Sequence, residues 1–146
     1  MRGPARQTQA PQLLHHLAGR RRDYLYGRLL AIAEHIEGRA LYVGGETRDT
    51  TAAKLMQRFA DRPASTWRTI ELALTPAKSR LRAKRGSFLH EMEKLNDEVI
   101  SSFEGDAFLD DSKLTGEFLL GYHCQRQKLN PPKTNSATPD EDTPTE

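Results

Sequence analysis

An all-α fold, a single small bundle of about five helices, follows from three features of the 146-residue sequence. Apolar residues recur at helical spacing in five successive stretches, no stretch alternates as a strand does, and Gly or Pro residues separate one stretch from the next. The length allows one core, so residues 23–130 are predicted to form one bundle between a flexible basic leader, 1–22, and a disordered acidic tail, 131–146.

The leader mixes Pro, Gly, Gln and Arg, with one short turn expected at Leu13 to Leu17, and ends in Arg20-Arg21-Arg22. Helix one follows, because Leu25, Leu29, Ile32 and Ile36 fall on one stripe, Asp23 is a suitable N-cap and Gly38 a suitable stop. Beyond Gly44-Gly45, Thr47 or Asp49 can cap a second helix that gathers Ala52, Leu55, Met56 and Phe59 on one face and ends at Pro63. A third segment starts near Ser65 and keeps Ile70, Leu74, Ala77 and Leu81 in phase across Pro76, which fits either one kinked helix or two nearly collinear ones with Thr75 as a cap. Gly86 marks the next break. Phe88, Met92, Leu95 and Val99 then define a fourth helix, and Ser112 can cap a fifth that carries Leu114, Phe118, Gly121, Tyr122 and Gln125 until Pro131-Pro132.

Charge is segregated along this frame. Residues 135–146 hold Asp140, Glu141, Asp142 and Glu146 and no Lys or Arg, so without them the net charge of +2 becomes +6 on residues 1–134. Over positions 54–85, nine basic residues (Lys54, Arg58, Arg62, Arg68, Lys78, Arg80, Arg82, Lys84, Arg85) stand against Asp61 and Glu71. Positions 88–111 reverse the sign, with eight acids against Lys94. Lys54, Arg58 and Arg62 recur every four residues, and Lys78, Arg82 and Arg85 project together from the third segment, so both groups form cationic rows apart from the apolar stripes. Six of the nine are arginines, whose planar fork donates two hydrogen bonds to a phosphate. The nine are therefore the candidate nucleic-acid contacts, with Trp67 either a core residue or a stacking platform. No base-reading motif accompanies them, so contact to the backbone is expected.

Catalytic chemistry finds little support in the residues. His15, His16, His35, His90 and His123 are scattered singly, without the close ligand pairs that zinc requires, so no metal or other cofactor is expected. Cys124 lies in a helix interior with no feature to lower its pKa. Glu91 and Glu93 lie on a polar helix face instead of in a cleft, and no phosphate-cradling glycine loop is present. The single cysteine allows no internal disulfide; with no signal peptide or membrane-length apolar run legible, a cytoplasmic protein without a membrane partner is expected.

Two stretches carry a resemblance to a known family. Tyr24-Leu25-Tyr26-Gly27-Arg28-Leu29-Leu30-Ala31-Ile32-Ala33-Glu34 and Gly116-Glu117-Phe118-Leu119-Leu120-Gly121-Tyr122-His123-Cys124-Gln125-Arg126-Gln127 resemble the two ends of the C-terminal helical region of the type I-C CRISPR-associated large subunit. Phe59-Ala60-Asp61-Arg62-Pro63 and Trp67-Arg68-Thr69-Ile70 stand at the matching places between them, so the resemblance covers about residues 23–130. His123-Cys124 departs from the family's Tyr-His, which leaves that pair without an assigned role.

A separate protein made of this region alone resembles the small subunit of the type I-C Cascade complex, which arises from an internal start within the large-subunit gene, and Met1 with its leader fits such a start. The resemblance implies a non-catalytic subunit in antiviral defence. Its implied partners are the large and backbone subunits, neighbouring copies of itself, the guide RNA and the displaced non-target DNA strand, which it would hold in the R-loop while base pairing supplies sequence specificity. The rival readings are a stand-alone helical RNA-binding protein and a scaffold whose acidic fourth helix pairs with the basic third helix of another copy.

Overall fold

The computed structural model describes the backbone of residues 2–131 and the side chains of residues 17–131. Within that range the fold is helical without a strand: α1 (Arg2–Gly44), α2 (Thr51–Lys54), α3 (Met56–Asp61), α4 (Pro63–Ala73), α5 (Thr75–Lys84), α6 (Gly86–Ser101), a 3-10 turn (Ala107–Leu109) and α7 (Glu117–Leu129). The five predicted helices are thus recovered, with the second divided into α2 and α3 and the third into α4 and α5 at Leu74. Hydrogen bonding continues through that junction, since Leu74 N–H donates to the Ile70 carbonyl (3.0 Å) and Lys78 N–H to the Leu74 carbonyl (2.8 Å). The predicted acidic tail lies outside the described residues, apart from Pro131.

The first helix departs most from expectation. Its backbone is helical from Arg2, in place of an irregular leader over 1–22, and it runs on through Gly38. Asp23 does not cap it because its carboxylate is committed elsewhere, accepting from the backbone N–H (2.9 Å) and hydroxyl (2.8 Å) of Thr115, just ahead of α7. Gly38 does not stop it because Ala40 and Leu41 beyond it are also buried. The stop is Gly45, whose φ of +70° lies in the left-handed region that only glycine adopts freely. Gly45 N–H donates to Tyr42 (3.1 Å) and Glu46 N–H to Leu41 (2.9 Å), the paired bonds of a Schellman ending.

Burial runs round α1 from Arg22 to Leu41, so this helix is the axis of the bundle and not one of its staves. Leu25, Leu29, Ile32 and Ile36 are buried as predicted, and Tyr26, Leu30, Ala31 and Ala33 are buried with them. Helix α7 packs against α1 through two glycines. A Cβ on Gly27 would collide with the Phe118 carbonyl and lie 2.7 Å from the Tyr122 nitrogen, and one on Gly121 would collide with the Tyr24 carbonyl. At one end of the core, Tyr26 meets Phe103, Phe59 and Phe108 at centroid distances of 4.9, 5.7 and 5.8 Å.

The segment between α6 and α7 has little regular structure and is tied to α1 by polar contacts. Arg22, only 5% exposed, pairs with Asp23 (2.8 Å) and donates to the Asp110 and Ser112 carbonyls (3.1 and 3.0 Å). Tyr26 donates its hydroxyl to the Phe108 carbonyl at 2.5 Å, and burial raises its pKa. Ser112, expected to cap the fifth helix, is held by Arg22 instead, and that helix starts at Glu117, whose N–H donates to the Thr115 hydroxyl (3.3 Å).

Two glycine replacements separate packing from helix propensity. Gly121→Ala should lower stability by about 1–3 kcal/mol or more, because the methyl group has no room against the Tyr24 backbone. Gly38→Ala, with nothing within 4 Å of its Cβ, should raise stability by up to about 1 kcal/mol. Thermal unfolding of both variants checks the pair; equal shifts would overturn the close crossing.

Candidate nucleic-acid interface

The nine predicted cations do not share one surface role. Arg80 belongs to the fold, since its guanidinium donates to the Ala40 carbonyl (3.1 Å) and to the Glu46 carboxylate (2.9 Å) across Gly44. A cation at that place offsets the negative end of α1 and adds a donor to a carbonyl near its last turn. Of the nine, Arg80 is thus already engaged by Glu46 and Ala40.

On the far side of α5, Lys78 (3.6 Å) and Arg82 (3.7 Å) approach the same carboxylate oxygen of Glu93 on α6. The basic and acidic helices suggested by the charge pattern therefore meet within one chain. All three side chains are partly exposed and the contacts are longer than a charge-assisted hydrogen bond, so each contributes between zero and about 1 kcal/mol. Lys84 and Arg85 stand exposed at the end of α5, with Arg85 donating to the Lys84 carbonyl at 3.1 Å.

Lys54, Arg58 and Arg68 are exposed and form no ion pair among the described residues. Arg62 is 71% exposed and has a single loose contact, 3.6 Å from Asp111. Local structure explains why this row faces outward. Ala52 and Phe59 take α2 and α3 into the core, and the opposite side of each turn carries the cations. Two remote carboxylates fix the helix starts. Glu37 accepts from Thr51 N–H (2.7 Å), and Asp111 accepts from Ser65 N–H (3.0 Å) and its hydroxyl (3.0 Å). These bonds with Ser65 hold the Asp111 carboxyl below its ordinary value. The Thr50 hydroxyl, one residue beyond the predicted Asp49, caps α2 by accepting from Ala53 N–H (3.1 Å).

Trp67 is 2% exposed, so its ring is part of the core and no face is left for a base. Among the described residues its indole N–H has no acceptor. His123 is exposed and Cys124 half-buried. Among the described residues no three His, Cys, Asp or Glu side chains converge as metal ligands would.

Sequence spacing also passed over a cleft of about 360 Å³ between α1 and the end of α7, lined by Glu34, His35, Arg39, Tyr42, Thr50 and Arg126 among others. These groups come from opposite ends of the chain, so no local pattern could join them. Tyr122 donates to Glu34 (2.6 Å), and burial and this bond push its hydroxyl up to about 12. Arg39 lies 4.3 Å above the Phe88 ring, and His35 is 5.4 Å from the same ring.

The comparison with known families bears on this whole arrangement. The profile described as CRISPR-associated protein (Cas_Csd1) matches residues 12–130, which takes in nearly all of the described bundle. The chain belongs to the Cas_Csd1 family. No curated protein matches it. The family match spans both the glycine crossing of α1 with α7 and the cationic row on α2 to α4, and it makes this a CRISPR-associated protein. Among the described residues no helix is long and apolar enough to cross a membrane.

One pH effect follows from the cleft. Burial, and then repulsion from Arg39, lowers the His35 pKa from its ordinary 6.5, with Glu34 opposing. The folded chain thus favours neutral imidazole, and the stability this gives is present above the unfolded value and lost as pH falls through the lower folded value. Asp110 and Asp111, both lowered from 3.8, titrate below that window. The unfolding temperature should therefore fall between about pH 7 and pH 5, and His35→Gln should flatten the fall. An unchanged slope in the variant would remove His35 as its source.

Proposed function

We propose that this Cas_Csd1-family chain is a non-catalytic small subunit of a type I-C RNA-guided surveillance complex, working in the cytoplasm in antiviral defence. The observation that carries the reading is the family match across residues 12–130 on an all-helical bundle with exposed cations at Lys54, Arg58 and Arg68 that have no ion pair among the described residues. In this reading the subunit lies beside the large and backbone subunits and neighbouring copies, and holds the displaced non-target strand in the R-loop. It also stands close to the guide RNA.

The chemistry asked of it is modest. Opening a target duplex against a guide is a near-balanced exchange of base pairs, so contacts to the sugar-phosphate backbone can tip it. Arginine and lysine on short, well-anchored helices supply such contacts without reading sequence. The α2 to α4 row fits this task better than Lys78 and Arg82, which a phosphate must first take from Glu93.

The test is co-purification with the large subunit, backbone subunit and guide RNA, followed by target binding with and without the chain. Stable incorporation, and weaker strand opening on omission, are the expected results. Exclusion from the complex together with tight RNA binding by the chain alone would replace this reading with a stand-alone RNA-binding protein. On single-stranded DNA, replacing Lys54, Arg58 and Arg68 by Ala should reduce the log-log salt slope by about two, at roughly 0.7 per lost phosphate contact. An unaltered slope would exclude the row.

A further inference from the structure

The fold brings the end of α7, the last described helix before the acidic residues, to the cleft beside the start of α2. Leu129 and Asn130, at the end of α7, line the same cleft as Thr50, whose hydroxyl caps α2. Lys54 is the last residue of α2, about 6 Å of helix beyond Thr50, and Arg58 follows on α3. Asp140 is ten residues past Asn130, and Glu141 and Asp142 follow it directly. Ten residues span up to about 35 Å when extended, so the acids can reach the row without any change in the bundle.

Charge supports the same pairing. Residues 135–146 carry four acids and no Lys or Arg, while Lys54, Arg58 and Arg68 have no acidic partner among the described residues. The fold already contains one such pairing, because Glu93 occupies Lys78 and Arg82 on the neighbouring helix. A carboxylate run on the same chain meets its partner at an effective concentration on the order of millimolar, which a weak contact with several charges can use.

We propose that Asp140, Glu141 and Asp142 dock on the Lys54 and Arg58 row of their own chain and compete there with the nucleic-acid backbone. The contact screens the row until a longer and more highly charged polyanion displaces it, which suppresses loose binding by the subunit outside its complex. The competition rests on the proposed function, whereas the contact between tail and row does not.

Two measurements on the full-length chain test it. The first is zero-length carbodiimide cross-linking at low salt, which joins a Lys amine to a carboxylate in contact with it. An intramolecular link from Lys54 to Asp140, Glu141 or Asp142, lost in high salt, is expected; links from these acids only to other lysines would overturn the docking. The second is binding of a single-stranded oligothymidine to the chain and to Asp140→Asn/Glu141→Gln/Asp142→Asn. If the tail covers the row two-thirds to nine-tenths of the time, neutralising it should tighten binding by about three- to tenfold.

The same neutralisation in a Lys54→Ala/Arg58→Ala background should give much less, since tail and row act as a coupled pair. An equal gain in both backgrounds would reduce the effect to net charge and overturn the competition. A Lys54 cross-link in a chain that binds no oligothymidine would keep the docking and overturn the nucleic-acid reading instead.

Discussion

The close crossing of α1 and α7 at Gly27 and Gly121 is the constraint on which the rest of the bundle depends. Each glycine takes the backbone of the other helix where a methyl group would stand, so the two helices meet with almost no side chain between them. That contact fixes the depth at which Phe118, Tyr122 and Gln125 enter the core, and it lets Arg28 Nε donate to the Gln125 side-chain oxygen Oε1 at 2.7 Å. It also joins the two segments through which the sequence resembles its family. Far apart in the chain, Gly27 and Gly121 are parts of one interface.

A second theme is that helix starts are capped from a distance. Glu37 on α1 holds Thr51, Asp111 in the α6–α7 segment holds Ser65, and Asp23 on α1 holds Thr115. A local cap fixes only where a helix starts, whereas a remote carboxylate also fixes where that start lies relative to another element. Arg22 completes the pattern, since the buried Arg22–Asp23 pair satisfies backbone carbonyls on one side and Thr115 on the other. A buried pair of this kind stabilises only when its remaining hydrogen-bonding groups find partners, and here the irregular α6–α7 segment supplies them.

These features decide what the sequence could show. The apolar stripes were legible because periodicity is a local property: Ile70, Leu74, Leu81 and Val99 are buried where spacing placed them, and Leu114 faces the core although it precedes its helix. The length of α1 was not legible. Asp23 and Gly38 carry the local marks of a cap and a stop, but tertiary contacts employ the first and pass over the second. Ser112 misled in the same way, being held by Arg22, whereas Thr47 and Asp49 were displaced locally by the Thr50 cap. The cations of the candidate interface were visible as a set, yet their division was hidden, since the partners of Lys78 and Arg82 lie on α6 and that of Arg80 in the loop after α1. Trp67 could be settled only by burial, because a tryptophan at the start of an amphipathic helix is more often core but can also stack on a base.

The division of the cations has a consequence for how such a surface can work. A cation already satisfied by a carboxylate offers a phosphate only the difference between two ion pairs, which is small at an exposed site. A cation without a partner offers its whole interaction, together with the counterion released when the phosphate arrives. In the proposed role, attraction for a polyanion would therefore rest on the cations without an ion pair among the described residues, Lys54, Arg58 and Arg68 on α2 to α4 and Lys84 and Arg85 at the end of α5, the first two where Ala52 and Phe59 anchor the backbone to the α1 axis. Rigid placement matters for that role because a strand held by its phosphates must be held at a fixed distance from the body of the protein. The glycine crossing, the remote caps and the unpaired row are in this sense one arrangement, in which the core sets the position of charges that it does not itself neutralise.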